Sequence, residues 1–234
     1  MLPPFKLTFW RRALLALGAL LIIYQFWLLG HVLWWRHHNP SDSAFMREGL
    51  HRLQQQDPEA ELEHTWVPYG QISPQLKAAV IAAEDARFLE HDGFDWEGIQ
   101  AAWEKDLHKQ RIVAGGSTIS QQLAKNLFLS GRRTPWRKLE ESAITLMLEH
   151  LMHKHRILEI YLNVIEWGDG VYGAEAASEH YFHIHARQLN TRQSAWLAAI
   201  IPNPRYFDTH RQDKRLLRKA AILRRRMGSV DIPR

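Results

Sequence analysis

The sequence predicts a mainly α protein preceded by one N-terminal transmembrane helix. Three observations carry that prediction. Ala13 to Trp35, "ALLALGALLIIYQFWLLGHVLWW", is a long apolar run without a formally charged residue. From Pro74 onward the apolar residues recur mostly at helical spacing. Alternating apolar and polar residues, the mark of a half-buried strand, are scarce. The 234 residues suffice for one core plus a small appendage, and an apolar content of 46% excludes a disordered chain. Cysteine is absent, which excludes a disulfide framework and a thiolate metal site.

The apolar run is long enough to cross a bilayer, which takes about 20 residues. It exceeds a signal-peptide core of about 7–15 residues, and no small-residue cleavage pattern follows it. Trp27, Trp34 and Trp35 gather toward one end, as an interfacial belt does. Lys6, Arg11 and Arg12 precede the run and only Arg36 follows closely, so the positive-inside rule puts residues 1–12 in the cytoplasm. The rest of the chain is then expected across the membrane, which in a bacterium is the periplasm.

Residues 36–70 read as a polar connector with one helix over 44–56. Ser73 is a suitable N-cap and Pro74 a suitable first helical residue. Helices are predicted over 74–90, 96–109, 118–129, 135–152, 155–167, 174–181, 191–201 and 213–227, so 71–234 is expected to form one compact domain. The last of these, with "KRLLRKAAILRRR", is basic and amphipathic. It suits either an anionic lipid surface or a cover over the core.

The most acidic stretch is "AEDARFLEHDGFD", residues 83–95, with five carboxylates. Glu84 lies four residues from Val80 and Phe88, and Asp85 lies four from Ile81 and Leu89. Either acid could share a face with apolar neighbours, where burial raises a carboxyl pKa and suits general acid or base work. Helical phase does not choose between them, and both also fit a solvated helix end. Asp95, after the turn at Gly93, is placed to cap the next helix.

In "GGSTISQQLAKN" the glycines allow close backbone approach, and Ser117 or Thr118 can cap a helix whose free N–H groups attract an anion. The stretch lacks the Lys-Ser/Thr ending of a nucleoside triphosphate loop. In "RRTPWRKLEE", Arg137 and Glu141 stand four apart. They form either an exposed pair worth under about 1 kcal/mol, or part of a cationic lip for a phosphorylated substrate. "GDGVYG" matches a dinucleotide pattern, but a helical stretch precedes it and Arg192 stands where an acid is needed. Histidines at 150, 153 and 155, and at 180, 183 and 185, lack an evident second ligand set and read as solvated or packed.

In order along the chain, "EDARFLEHDGFD", "GGSTISQQLAKN", "RKLEE", "KHRILEIYLNVIEWGDGVYGAEAAS" and "RQSAWLAAIIPNP" resemble the five motifs of the peptidoglycan glycosyltransferase family, the glycan-polymerising domain of class A penicillin-binding proteins. The likeness spans about residues 74–207. Since the transpeptidase motifs are missing, the chain resembles the monofunctional biosynthetic peptidoglycan transglycosylases. The resemblance implies a lysozyme-like, mainly α glycosyltransferase domain with a small membrane-facing jaw lobe that begins within 36–70. It implies an inverting transferase that polymerises lipid II into β-1,4-linked glycan with release of polyprenyl diphosphate.

The resemblance makes Glu84 the base for the acceptor 4-hydroxyl and Glu141 the second catalytic glutamate. It implies no essential cofactor and allows a divalent metal, Mg or Mn, at Glu141 beside the diphosphate. It puts Lys125, Arg133, Arg137 and Lys138 at the phosphates. It assigns to substrate binding Asp85, Phe88 and His91 of the first motif, Gly116, Ser117, Thr118, Gln121, Gln122 and Asn126 of the second, and Lys154, Glu159, Tyr161 and Asn163 of the fourth. The implied partners are lipid II, the growing glycan strand and the membrane, with room for other cell-wall synthesis or division proteins and no role for nucleic acid. A lytic muramidase of related fold and a membrane-tethered wall-binding scaffold are the alternatives. A muramidase needs no cationic diphosphate site, and a scaffold would tolerate loss of Glu84.

Overall fold

A computed structural model describes residues 4–100, 116–131 and 134–234. The chain divides into two compact units, residues Met1–Asn39 and Pro40–Arg234. The first is the helix α1, Pro4–Trp35, within which Phe9–Trp35 is long and apolar enough to cross a membrane. At 1.5 Å per residue that stretch is about 40 Å long, against a hydrocarbon core of about 30 Å. Leu14, Leu15, Leu20, Ile22, Ile23 and Phe26 along it are exposed, which water disfavours and lipid does not. This helix is a candidate membrane anchor.

The second unit is mainly α, in agreement with the class expected for a lysozyme-like transglycosylase. It contains α2 (Ala44–Gln54), α3 (Pro74–Glu84), α4 (Ile119–Phe128), α5 (Pro135–Leu151), α6 (Lys154–Val164), α7 (Ala174–Phe182), α8 (Thr191–Ile200), α9 (Pro204–Thr209) and α10 (Lys214–Arg226). Residues 96–100 are also helical, and the remainder of the helix expected over 96–109 lies outside the described residues.

At the centre is α3. Leu76, Lys77, Ala78, Ala79, Val80 and Ile81 are all buried, so the helix is enclosed on every side. Ser73 caps it through the Gln75 N–H, with Pro74 in the first turn. It packs on α8 and α10, while α4 packs on α5 and α6. The helix stops at Glu84 and does not continue to residue 90. Asp85, at φ −163° and ψ 72°, leaves the helical region, and its carboxylate takes partners outside the helix. Phe88 is nonetheless buried, held by the loop and not by helical phase.

The sequence signals missed a small sheet. β1 (Glu63–His64) pairs in parallel with β3 (Val171–Tyr172), which pairs antiparallel with β2 (Glu166–Gly168). The helix expected over 155–167 therefore ends at Val164, and its last residues enter β2. "GDGVYG" spans the end of β2 through β3, so it is a hairpin and not a nucleotide loop. Gly173 (φ 85°) closes it. A β-carbon there would lie 2.8 Å from the Asn163 carbonyl oxygen, so both backbone angle and space call for glycine.

Candidate active site

Glu84 is the last residue of the buried helix α3, and that position delivers a carboxylate from the core into a cleft of about 740 Å³. Ser117, Gln121, Gln122, Lys125 and Asn126 line the cleft from α4 and the segment before it. Thr134, Pro135, Arg137, Lys138 and Glu141 line it from α5, with Ile201 and Pro202 beyond α8. A smaller recess of about 190 Å³ shares Glu84 and Ser117 and adds Asp85, Asp95, Gly116 and Thr118.

The segment entering α4 is fixed by a capping box. Thr118 Oγ1 accepts from the Gln121 N–H, and Gln121 Oε1 accepts from the Thr118 N–H. Thr118, and not Ser117, is the cap. Its hydroxyl also donates to the Gly93 carbonyl at 2.7 Å. Gly93 has φ 93°, and a β-carbon there would meet the Thr145 methyl at 2.8 Å. The loop after α3 and the start of α4 are thus locked together.

The five acids of residues 83–95 separate by environment. Glu84 Oε2 accepts from Gln122 Nε2 at 3.0 Å. The Gln122 carbonyl accepts from the Tyr161 hydroxyl at 2.8 Å, which fixes the amide with its N–H toward Glu84. Tyr161 is fully buried. Burial, and then the charges of Glu84 and Asp85, push its pKa well above the usual value, so the hydroxyl keeps its proton. Asp85 is buried, accepting from the Ile119 N–H at 3.0 Å and lying 2.9 Å from His91 Nε2. Glu90 is exposed and pairs with Arg87 at 2.7 Å; Asp92 is exposed. Asp95 accepts from the Gly98 N–H at 2.9 Å, the expected cap.

Glu141 extends the buried stripe of α5, with Ile144, Thr145 and Leu148, and is only 3% exposed. A carboxylate this buried needs partners. Arg137 donates to Oε2 at 2.7 Å and Lys138 donates to Oε1. The exposed-pair reading of Arg137 and Glu141 is therefore corrected: the carboxylate is buried and shared by two cations. Arg137 Nε is buried without a hydrogen-bond partner among the described residues. Lys125 lies over the Phe45 ring, 5.0 Å from its centroid.

The two clefts bring together Glu84, Asp85, Gly116, Ser117, Thr118, Gln121, Gln122, Lys125, Asn126, Arg137, Lys138 and Glu141. Phe88, His91, Lys154, Glu159, Tyr161 and Asn163 line neither. Lys154 donates to the His91 carbonyl and to Glu149 and stacks on Phe88. Glu159 accepts from the Tyr69 N–H, and Asn163 exchanges two hydrogen bonds with Val67. These fourth-motif residues tie the entering chain to α6. Arg133 lies outside the described residues. Lys219 of α10, absent from the sequence expectations, stands 3.7 Å from Glu84 Oε1. Its signal was present: it lies three residues after the buried Leu216 and four before the buried Leu223.

Among the described residues, the one carboxylate–histidine group close enough to share an ion is Glu175, Glu179 and His185, none of which lines the cleft. His185 Nδ1 is already 2.6 Å from Glu175. At Glu141 the donor set does not suit a divalent cation, because each oxygen already serves a positively charged side chain.

The family model described as "Transglycosylase" matches residues 50–228. A protein from Laribacter hongkongensis named "Biosynthetic peptidoglycan transglycosylase" is 63% identical over 222 residues, covering 95% of this chain and 97% of that one. Proteins of the same name from Chromobacterium violaceum and Methylobacillus flagellatus are 63% and 62% identical, with 97% and 99% of their lengths covered. A match of this depth, over a span that includes α3, α4 and α5, makes the chain a member of the transglycosylase family.

Proposed function

We propose that this chain is a membrane-anchored, inverting peptidoglycan glycosyltransferase that polymerises lipid II. The observation that carries this reading is one cleft that holds a tethered carboxylate, Glu84, together with the cations Lys125, Arg137 and Lys138. A hydrolase needs an acid to protonate its leaving group. A diphosphate leaving group is already acidic and needs fixed positive charge instead.

In the proposed reaction Glu84 accepts the proton of the acceptor sugar's 4-hydroxyl. The oxygen attacks the anomeric carbon of the donor from the face opposite the diphosphate. The new C–O bond forms as the bond to the diphosphate oxygen breaks, and the electron pair leaves with polyprenyl diphosphate. Attack from the opposite face converts an α-linked donor into a β-1,4 glycan. Lys125, Arg137 and Lys138 receive the charge of the departing group, and the Arg137 Nε–H, without a partner among the described residues, is a further donor for it. Gln122 keeps the base oriented. Glu141 gathers two of the cations, and no step is assigned to a metal.

The helix α1 anchors the chain beside its lipid substrate, with the second unit on the side away from the cytoplasm. Incubation with lipid II in detergent or vesicles tests the reading. Growth of glycan polymer supports it. Release of fragments from preformed glycan, without polymer from lipid II, would point to the muramidase.

A further inference from the structure

The C-terminal helix α10 carries seven cations over Lys214–Arg226 and looks from its sequence like a solvated or lipid-facing element. One of them does not face outward. Lys219 occupies the same side as Leu216 and Leu223, the two buried apolar residues of the helix, and is itself half-buried against α3. Lysine at such a position gives up hydration that the neighbouring leucines do not replace. The compensating partner is Glu84, whose Oε1 lies 3.7 Å from the Lys219 nitrogen. The other oxygen, Oε2, belongs to Gln122 of α4. The carboxylate is therefore gripped from two elements nearly 100 residues apart in sequence, each at its own oxygen.

We infer that Lys219 is a positioning residue for the proposed base, holding the Glu84 carboxylate turned into the cleft. The inference rests on the Glu84 reading above. The 3.7 Å separation is an ion pair and not a short hydrogen bond, so Oε1 keeps room to receive the acceptor's proton. Burial lowers the lysine's pKa, against the raising influence of Glu84. The other groups around Glu84 do not duplicate the role. Tyr161 is neutral and bound to Gln122, and Asp85 is engaged by His91 and the Ile119 N–H. Arg137 and Lys138 are joined to Glu141, and Lys125 lies over Phe45.

The test is the split between kcat and KM for lipid II polymerisation at fixed pH. Loss of the contact at Oε1 frees the carboxylate to turn away from the acceptor, which lowers kcat by roughly 3–10-fold and leaves KM little changed. Lys219→Met keeps the packed stem without the charge, Lys219→Gln is a second uncharged variant, and Lys219→Arg retains the charge. The expected result is that fall in kcat in either uncharged variant that melts like the wild type, and a kcat near the wild-type value in Lys219→Arg. An unchanged kcat without the charge overturns the inference, because packing alone would then explain the residue. Wild-type polymerisation by Glu84→Gln would instead overturn the base assignment beneath it.

Discussion

Gln122 donates its side-chain N–H to Glu84 at 3.0 Å while the buried Tyr161 hydroxyl donates to the Gln122 carbonyl at 2.8 Å. Tyr161 thus acts on the cleft without lining it. Tyr161→Phe removes one neutral hydrogen bond, worth about 1 kcal/mol, and releases the amide to rotate. The expected outcome is a modest fall in melting temperature and a roughly 3–10-fold loss of kcat, a size that matches that bond, with KM for lipid II little changed. Steady-state kinetics beside a thermal melt would check both. Unchanged kcat would mean that Gln122 does not depend on Tyr161.

Asp85 joins two of the recognised motifs by taking the Ile119 N–H and His91 at once. Asp85→Asn keeps the shape but loses the charge and one acceptor oxygen, leaving either a buried N–H or the histidine poorly matched. A destabilisation of about 1–3 kcal/mol is expected in denaturant unfolding. Activity should fall with stability, because the start of α4 carries Ser117, Gln121 and Gln122.

Glu141 is buried under Arg137 and Lys138. Glu141→Ala leaves two cations without their common acceptor and frees them to spread from the cleft. Because Lys138 is about half exposed, the stability cost should fall below the roughly 3–5 kcal/mol of a fully buried pair. Polymerisation should drop by at least about tenfold, since oriented charge on the leaving group is lost. Added Mg or Mn should not restore it; restoration would show that a metal serves the diphosphate after all.

Asp208 gives a pH test independent of the cleft. Burial opposes its ionisation, but hydrogen bonds from His180, the Asp169 N–H and Arg211 outweigh it and hold the carboxyl below its ordinary 3.8. With the folded value depressed, its contribution to stability is present above pH 3.8 and is lost as pH falls through the lower folded value. Asp208→Asn should therefore melt below the wild type at neutral pH, with the gap closing under strong acid. A gap that persists unchanged at low pH would assign the effect to packing.

Local signals were enough for much of the fold. Ser73 announces α3 and caps it through its side chain, and of the two cap candidates for α4, Ser117 and Thr118, it is Thr118 that caps; Asp213, which caps α10, reads in the sequence only as the start of that helix. The extent of α3 was not legible, because Asp85 breaks the helix for partners at Ile119 and His91 that no short window contains. The three strands are two or three residues long, too short for alternation to register. In the cleft, spacing left Glu84 and Asp85 equivalent, and only resemblance ranked them. The structure places Glu84 in the large cleft and turns Asp85 inward, a difference created by the end of α3. Lys219 escaped notice because six other cations surround it on α10 and its partner lies far away in sequence.

The central claim is that the Glu84 carboxylate acts as the base for glycan polymerisation. Its most direct test is the polymerisation rate of Glu84→Gln with lipid II, at fixed pH, in protein whose melt matches the wild type. The amide keeps size and hydrogen bonding but cannot take the acceptor's proton. The account predicts a loss of at least about 100-fold, the lower range for removing a positioned proton acceptor. Polymer formed by Glu84→Gln at the wild-type rate would contradict it.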